Sequence, residues 1–266
     1  MIVNGHTIEP YVNLAGADLS GADLTGADLT GTNLTVANLT RANLANACLT
    51  GAKLNGAILR GTNLRGATLK DENLWGVNLS GANLTNANLT GACLIGRNLS
   101  DATLVSANMT DVNLYGADLK DANLTGANLT GVNLQCANLA GVSLIGSVLT
   151  AGKIIGANLT NANLTGACLK GENLYGVNLR GANLTGANLF GARMVKVNLK
   201  NANLTDANLA EVDLRFAKLN NANLTGVSLS GADLRAADLA NATLKDANLM
   251  EANLCMATMP DGTTHV

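Results

Sequence analysis

The sequence predicts an all-β fold, a four-sided parallel β-helix wound from five-residue units. Three observations predict it. Leu recurs every fifth residue from Leu14 to Met259 without a slip in frame. A small residue sits two positions before nearly all of these centres. Large apolar residues just after the centres favour spacings that are multiples of 20.

The frame holds 50 centres, of which 46 are Leu and the others are Met109, Ile154, Met194 and Met259. Two residues earlier, 34 of the 50 positions are Ala and nine are Val. The unit reads Ala-Asn-Leu-Thr-Gly. A period of five excludes an α-helix, where such a stripe would spiral and form no face. It also fails the heptad of a coiled coil and the longer unit of a leucine-rich repeat. In extended chain, residues two apart point the same way. Ala and Leu therefore face inward together, with Asn between them facing out. The next inward pair starts three residues on, so the chain must bend once per unit. Gly and Asn near that bend tolerate a positive φ.

The number of units per coil follows from the residue after the centre. Ten such positions carry large apolar groups, and six of them differ by multiples of 20: Trp75, Ile95, Tyr115, Ile155, Tyr175 and Val195. Four units per coil gathers these six into one column, whereas three would scatter them evenly. Fifty units at four to a coil make 12.5 coils. With about 4.8 Å between stacked strands, the expected length is on the order of 60 Å.

On these residues, from Asn13 to Met259, the chain resembles the pentapeptide repeat family. The resemblance implies a right-handed quadrilateral β-helix and a non-enzymatic role. The ending Thr258-Met259-Pro260-Asp261-Gly262 is similar to tails of cyanobacterial members. The expected organisation is a cap segment at 1–12, the β-helix at 13–259 and a short tail at 260–266. Ile2, Val3, Ile8 and Tyr11 could cover the first coil. The polar tail suggests a poorly capped C-terminal end, open to end-to-end pairing.

Composition limits the function. Net charge is −2, from 17 basic and 19 acidic residues that read as scattered, with no charged tail. Nothing electrostatic therefore points to nucleic acid. No apolar run is long enough for a membrane helix, and the start lacks a signal peptide's pattern. The only histidines, His6 and His265, lie near the two ends, so no His-based catalytic set is expected in the body. The spacing of Cys48, Cys93, Cys136, Cys168 and Cys255 suits no metal site, and all five are expected reduced, as in a cytoplasm. No catalytic residue, metal or cofactor is expected.

Two groups of residues remain as candidates. The first is the column Trp75, Ile95, Tyr115, Ile155, Tyr175 and Val195. It reads either as an apolar interaction stripe or as ordinary cross-strand stacking. The second is Glu72, Arg97 and Glu172, charges where Ala belongs. They could bend outward, form an ion pair (Glu72 with Arg97), or mark a local binding notch; Gly152, one coil from Glu172, could make room for it. Residues 66–90 and 166–190 agree at 19 of 25 positions, including Lys70/Lys170 and Glu72/Glu172, which suggests a duplicated block. The stretch Ile145 to Ile155 is the most irregular and is a candidate kink.

The expected function is a rigid scaffold or protein-interaction module in the cytoplasm. Contact would be with an unknown protein partner, or with a second copy, through the stripe or the solenoid ends. The resemblance adds two alternatives: a DNA-mimicking regulator of a topoisomerase, which the near-balanced charge disfavours, and a regulator of cyanobacterial cell differentiation.

Overall fold

A computed structural model describes residues 1–265. The chain forms two compact units, Met1–Asn133 and Leu134–Val266. In both, the five-residue frame winds into a β-solenoid by the same local chemistry.

The coil is set by parallel bridges between residues 20 apart, such as Asn13↔Asn33 and Asn33↔Lys53 in the first unit and Asn158↔Asn178 and Asn178↔Asn198 in the second. One circuit therefore takes four five-residue units. The bridging residue is the outward one. Asn33 donates its N–H to the Val12 carbonyl (2.9 Å), and its own carbonyl accepts from Leu14 N–H (2.8 Å). A single extended residue per unit thus makes both ladder bonds before the chain turns.

Nearly every corner is a hydrogen-bonded turn; at Leu149–Gly152 the Gly152 N–H goes to Glu172 instead. Ala17 N–H donates to the Leu14 carbonyl at 3.1 Å, with Gly16 at φ +70°. The third position of a type II turn requires this sign of φ. Where Gly is replaced the backbone does not change: Val36 sits at φ +51° and Phe216 at +58°. Such conformations are costly for residues bearing a Cβ, especially branched ones. The fold imposes them through the neighbouring corners.

The centres fill the lumen. Leu19 through Leu129 in the first unit, and Leu139 through Leu239 in the second, are almost completely buried, as are the replacements Met109, Ile154 and Met194. Burial of each such side chain is worth roughly 1.5–3 kcal/mol. Ala and Val beside them leave room for the next centre. Inward hydroxyls bond to backbone: Thr62 Oγ1 donates to the Leu39 carbonyl (2.9 Å) and Ser147 Oγ to that of Leu144 (2.8 Å). Among the described residues no buried side-chain nitrogen or oxygen lacks a partner.

Outside, the outward Asn side chains form ladders. Asn63 donates to Asn43 (2.8 Å) and Asn198 to Asn178 (3.1 Å). On the face carrying Asn183 and Asn203, Thr hydroxyls join in. Thr185 Oγ1 donates to Asn183 Oδ1 (2.7 Å) and accepts from Asn203 Nδ2 (3.0 Å). The same Asn oxygen also takes the Thr185 amide (3.1 Å). Side-chain satisfaction and turn formation are therefore one arrangement.

The two chain termini differ. At the first, β1 (Ile2–Val3) pairs antiparallel with β2 (His6–Thr7) across a turn at Asn4 and Gly5, both at positive φ. The following Ile8 is buried and exchanges backbone bonds with Met1 (2.7 and 3.0 Å). At the second, residues after Gly262 turn back on the last coil. Thr258 bridges Thr264 antiparallel, and His265 N–H donates to the Ala257 carbonyl (2.8 Å). The tail thus pairs with one side of that coil, more cover than its polarity suggests. Leu244, Leu249 and Leu254 remain partly exposed.

Replacing a mid-unit centre should be costly, because its neighbours are held by the ladder and relax little. Leu184→Ala is expected to lose about 2–5 kcal/mol in urea denaturation, whereas Thr185→Ala on the same unit should lose about 1 kcal/mol.

Candidate interaction surface

The ladder places the residue after each centre at a corner, stacked over its equivalent one coil away. In the first unit the bridges Asn73↔Cys93 and Cys93↔Asn113 hold Trp75, Ile95 and Tyr115 in one column. All three are exposed, Trp75 most at 67%. Trp75 and Ile95 border a shallow depression with Asn73, Cys93 and Arg97. In the second unit Ile155 and Tyr175 are exposed, but Val195 is only 7% exposed and adds little surface. Lys196 Nζ lies 5.9 Å from the Tyr175 ring centroid, a cation–π contact on this column.

Beyond Val195 the column changes character. Arg215 and Arg235 follow, with Asp213 and Asp233 beside them on the wall. Arg215 Nη2 lies 2.8 Å from Asp213, and Arg235 Nη2 2.6 Å from Asp233; Arg215 also reaches Asp233 at 3.6 Å. Hydrogen bonds from the guanidinium groups hold both carboxyls below the usual Asp range. Phe216 (55% exposed) and Met256 flank these arginines and line a depression with Ala236 and Cys255. Reading the sequence by the residue after the centre misses both apolar groups, because they occupy the turn position normally held by Gly. Large side chains at that position are the signal that finds them.

The three inward charges separate into two behaviours. Arg97 turns outward, its Nε donating to the Ile95 carbonyl at 2.8 Å, and it makes no ion pair with Glu72. The ion-pair alternative is thereby replaced by the outward bend for Arg97. For Glu72 and Glu172 the outward bend is wrong: both are buried, at 7% and 4% exposure. Their carboxylates instead take backbone N–H groups of the preceding coil. Glu72 accepts from Gly51, and Glu172 accepts from Gly152 at 3.3 Å. The wall opens beside each. Among the described residues no bridge joins Lys53 to Asn73, although Asn33↔Lys53 and Asn73↔Cys93 are formed. Equally, none joins Lys153 to Asn173, although Asn173↔Arg193 is formed. The irregular 145–155 stretch is thus where a carboxylate takes over backbone bonding. Burial pushes both carboxyls above the usual Glu range, with the backbone N–H bonds pulling the other way.

No group of His, Cys, Asp and Glu among the described residues is arranged to hold a metal ion, and no helix is long and apolar enough to cross a membrane. The five cysteines are unpaired.

A repeating Ala-Asn-Leu-Thr-Gly unit, four to a circuit, with Leu in the lumen and a positive-φ turn at nearly every corner, defines a pentapeptide β-solenoid. The family of Pentapeptide repeats matches over stretches that together run from residue 17 to 254, and the chain belongs to that family. Membership carries with it the right-handed sense of winding.

Solved structures similar to the chain include HetL from the cyanobacterium Nostoc sp. strain PCC 7120, a pentapeptide repeat protein involved in heterocyst differentiation regulation. It is 36% identical over 86% of this chain and 91% of its own, with a TM-score of 0.47. A pentapeptide repeat protein from the Arabidopsis thaliana thylakoid lumen is 31% identical over 39% of this chain and 72% of its own (TM-score 0.38). QnrB1, a plasmid-mediated fluoroquinolone resistance protein, is 20% identical over 77% and 88% (TM-score 0.32). No curated protein matches the chain.

The buried carboxylates set a pH dependence. Each has a folded-state pKa above its unfolded value, so its contribution to stability is present below about pH 4 and is lost as pH rises through the folded pKa. Glu172→Gln keeps an acceptor for Gly152 and removes the charge. Its urea midpoint should exceed that of the wild type at pH 7 and converge on it towards pH 4; a lower midpoint at pH 7 would show that the charge itself is needed.

Proposed function

We propose that this chain is a non-enzymatic scaffold that binds a protein partner through the apolar corner column. The column comprises Trp75, Ile95 and Tyr115 in the first unit and Ile155 and Tyr175 in the second. The observation that carries the reading is the exposure of large aromatic side chains on a wall held by ladder and turn bonds except at the openings beside Glu72 and Glu172. Such a wall loses little conformational entropy on binding. Trp and Tyr are the residues that most often anchor protein interfaces. Gly76, Gly96, Gly116, Gly156 and Gly176 follow the column residues and leave their flanks open.

Proposed with this are a continuous array of about 12 coils from residue 13 to 259, fifty units at four per coil, a covering role for residues 1–12, a cytoplasmic location, and self-association as the other use of the column. The last coil, with Leu244, Leu249 and Leu254 partly exposed, is a second surface on which copies could meet. Nucleic acid and membrane are not the proposed partners.

Two other readings come from the family and not from these residues. Regulation of cell differentiation through protein contacts is compatible with the column. Topoisomerase regulation by DNA mimicry calls for a strongly negative surface, and a net charge of −2 does not supply it.

Affinity capture and sedimentation equilibrium of the wild type against Trp75→Ser/Tyr115→Ser/Tyr175→Ser test the proposal. The triple variant is expected to keep its thermal midpoint, since these side chains are exposed, and to lose at least tenfold in affinity for whatever partner or copy the wild type holds, a loss that a single anchor residue would already produce. Equal recovery by both proteins removes the column from consideration. A gyrase supercoiling assay is expected to show no inhibition.

A further inference from the structure

The charges are less scattered than the net value suggests. From residue 29 to 70 there is no Asp or Glu, while Arg41, Lys53, Arg60, Arg65 and Lys70 all fall there. Two of them meet at one corner of the first unit. Arg41 N–H donates to the Arg60 carbonyl at 3.0 Å, so the two residues are direct neighbours on successive coils. Neither arginine has an ion-pair partner among the described residues.

This placement is unfavourable on its own terms. Like charges facing each other on adjacent strands repel. Arg41 also occupies the turn position, at φ +58°, where an L side chain is strained and Gly is the usual residue. Many other non-Gly residues share that φ in the repeat, so the feature particular to this corner is the unneutralised charge pair.

The surroundings fit an anion. Arg41 and Arg60 line a depression of about 260 Å³ together with Thr40, Gly61, Ser80 and Gly81. The amides of Thr40 and Ser80 are used in turns to Asn38 and Asn78 (3.1 and 2.9 Å), but their hydroxyls have no protein partner among the described residues. Gly81 has open space on the side where a Cβ would stand, and a Cβ at Gly61 would touch the Arg41 stem at 3.6 Å. No aliphatic or aromatic residue lines it; its apolar surface comes from the same side chains that carry the guanidinium and hydroxyl groups. One hundred residues on, the corresponding positions are Ala140, Gly141, Thr160, Asn161, Arg180 and Gly181, with a single arginine.

We propose that Arg41 and Arg60, with the hydroxyls of Thr40 and Ser80, form a binding site for a phosphate dianion, free or esterified. Guanidinium forks match phosphate oxygens in pairs, and hydroxyl donors complete the tetrahedral set. The bound anion removes the Arg–Arg repulsion that the empty corner carries.

The test uses the full chain, labelled so that arginine Nε–H resonances are observed. It is titrated at constant ionic strength with inorganic phosphate, with phosphoserine, and with chloride as the control. Saturable shifts of Arg41 and Arg60, but not Arg180, are expected with phosphate or phosphoserine. The tighter of the two identifies a free or an esterified phosphate as the ligand. Arg41→Gly restores the family residue at a strained turn and should fold; Arg60→Thr restores the commonest residue at its position. Each should weaken binding about tenfold or more, and Arg180→Thr should leave it unchanged. Without phosphate Arg41→Gly should melt higher than the wild type, and saturating phosphate should narrow that gap. Shifts no larger than those with chloride, or binding that survives in the double variant, overturn the proposal.

Discussion

The fold rests on a lumen just wide enough for one Leu and one small residue from each side. Every other regularity follows from that width. A centre larger than Leu or Met would push coils apart, and a smaller one would leave a void. The residue two before it must be small because the next centre along the circuit needs the space. The chain can keep inward and outward faces in register only by turning every fifth residue, so the turn position must accept a positive φ even where it carries Val, Arg or Phe. The frame of 50 centres is the imprint of this one steric limit.

Because the requirement is periodic and local, it was readable without coordinates. The Leu frame, the small residue before it and the clustering of Trp75, Ile95, Tyr115, Ile155 and Tyr175 at 20-residue spacings together imply four sides, and the bridges between residues 20 apart agree. What could not be read depends on which backbone groups a neighbour leaves free. Glu72 and Glu172 look like side chains that should escape to solvent. They stay inside because each finds N–H groups in the preceding coil, at Gly51 and at Gly152. Val195 carries the same pattern as Tyr175 and yet is buried, a difference that identity at one position does not encode. The proximity of Arg41 and Arg60 rests on a separation of 19 residues, which acquires meaning only when the corner's hydrogen bond is known.

The surface is thereby divided by position within the unit. Wall positions are occupied mostly by Asn, bonded to one another, to the turns and to corner Thr hydroxyls, and they leave little free bonding capacity. Corner positions carry the variation: aromatic groups in one column, Arg–Asp pairs further along it, and an unneutralised arginine pair at another corner. Function in such a fold is written at the corners because side chains there can change without disturbing lumen or ladder.

The reach of the backbone ladder has a consequence for how the protein is made. Among the described residues no ladder bond spans more than about one circuit, as in the pairing of Asn33 with Val12 and Leu14, both in the coil before it. A growing chain can therefore complete each layer as soon as the next twenty or so residues leave the ribosome, using the layer beneath as its template. Synthesis and folding then advance together from the hairpin at Ile2–Thr7, and the apolar interior stays open to water only at the newest layer.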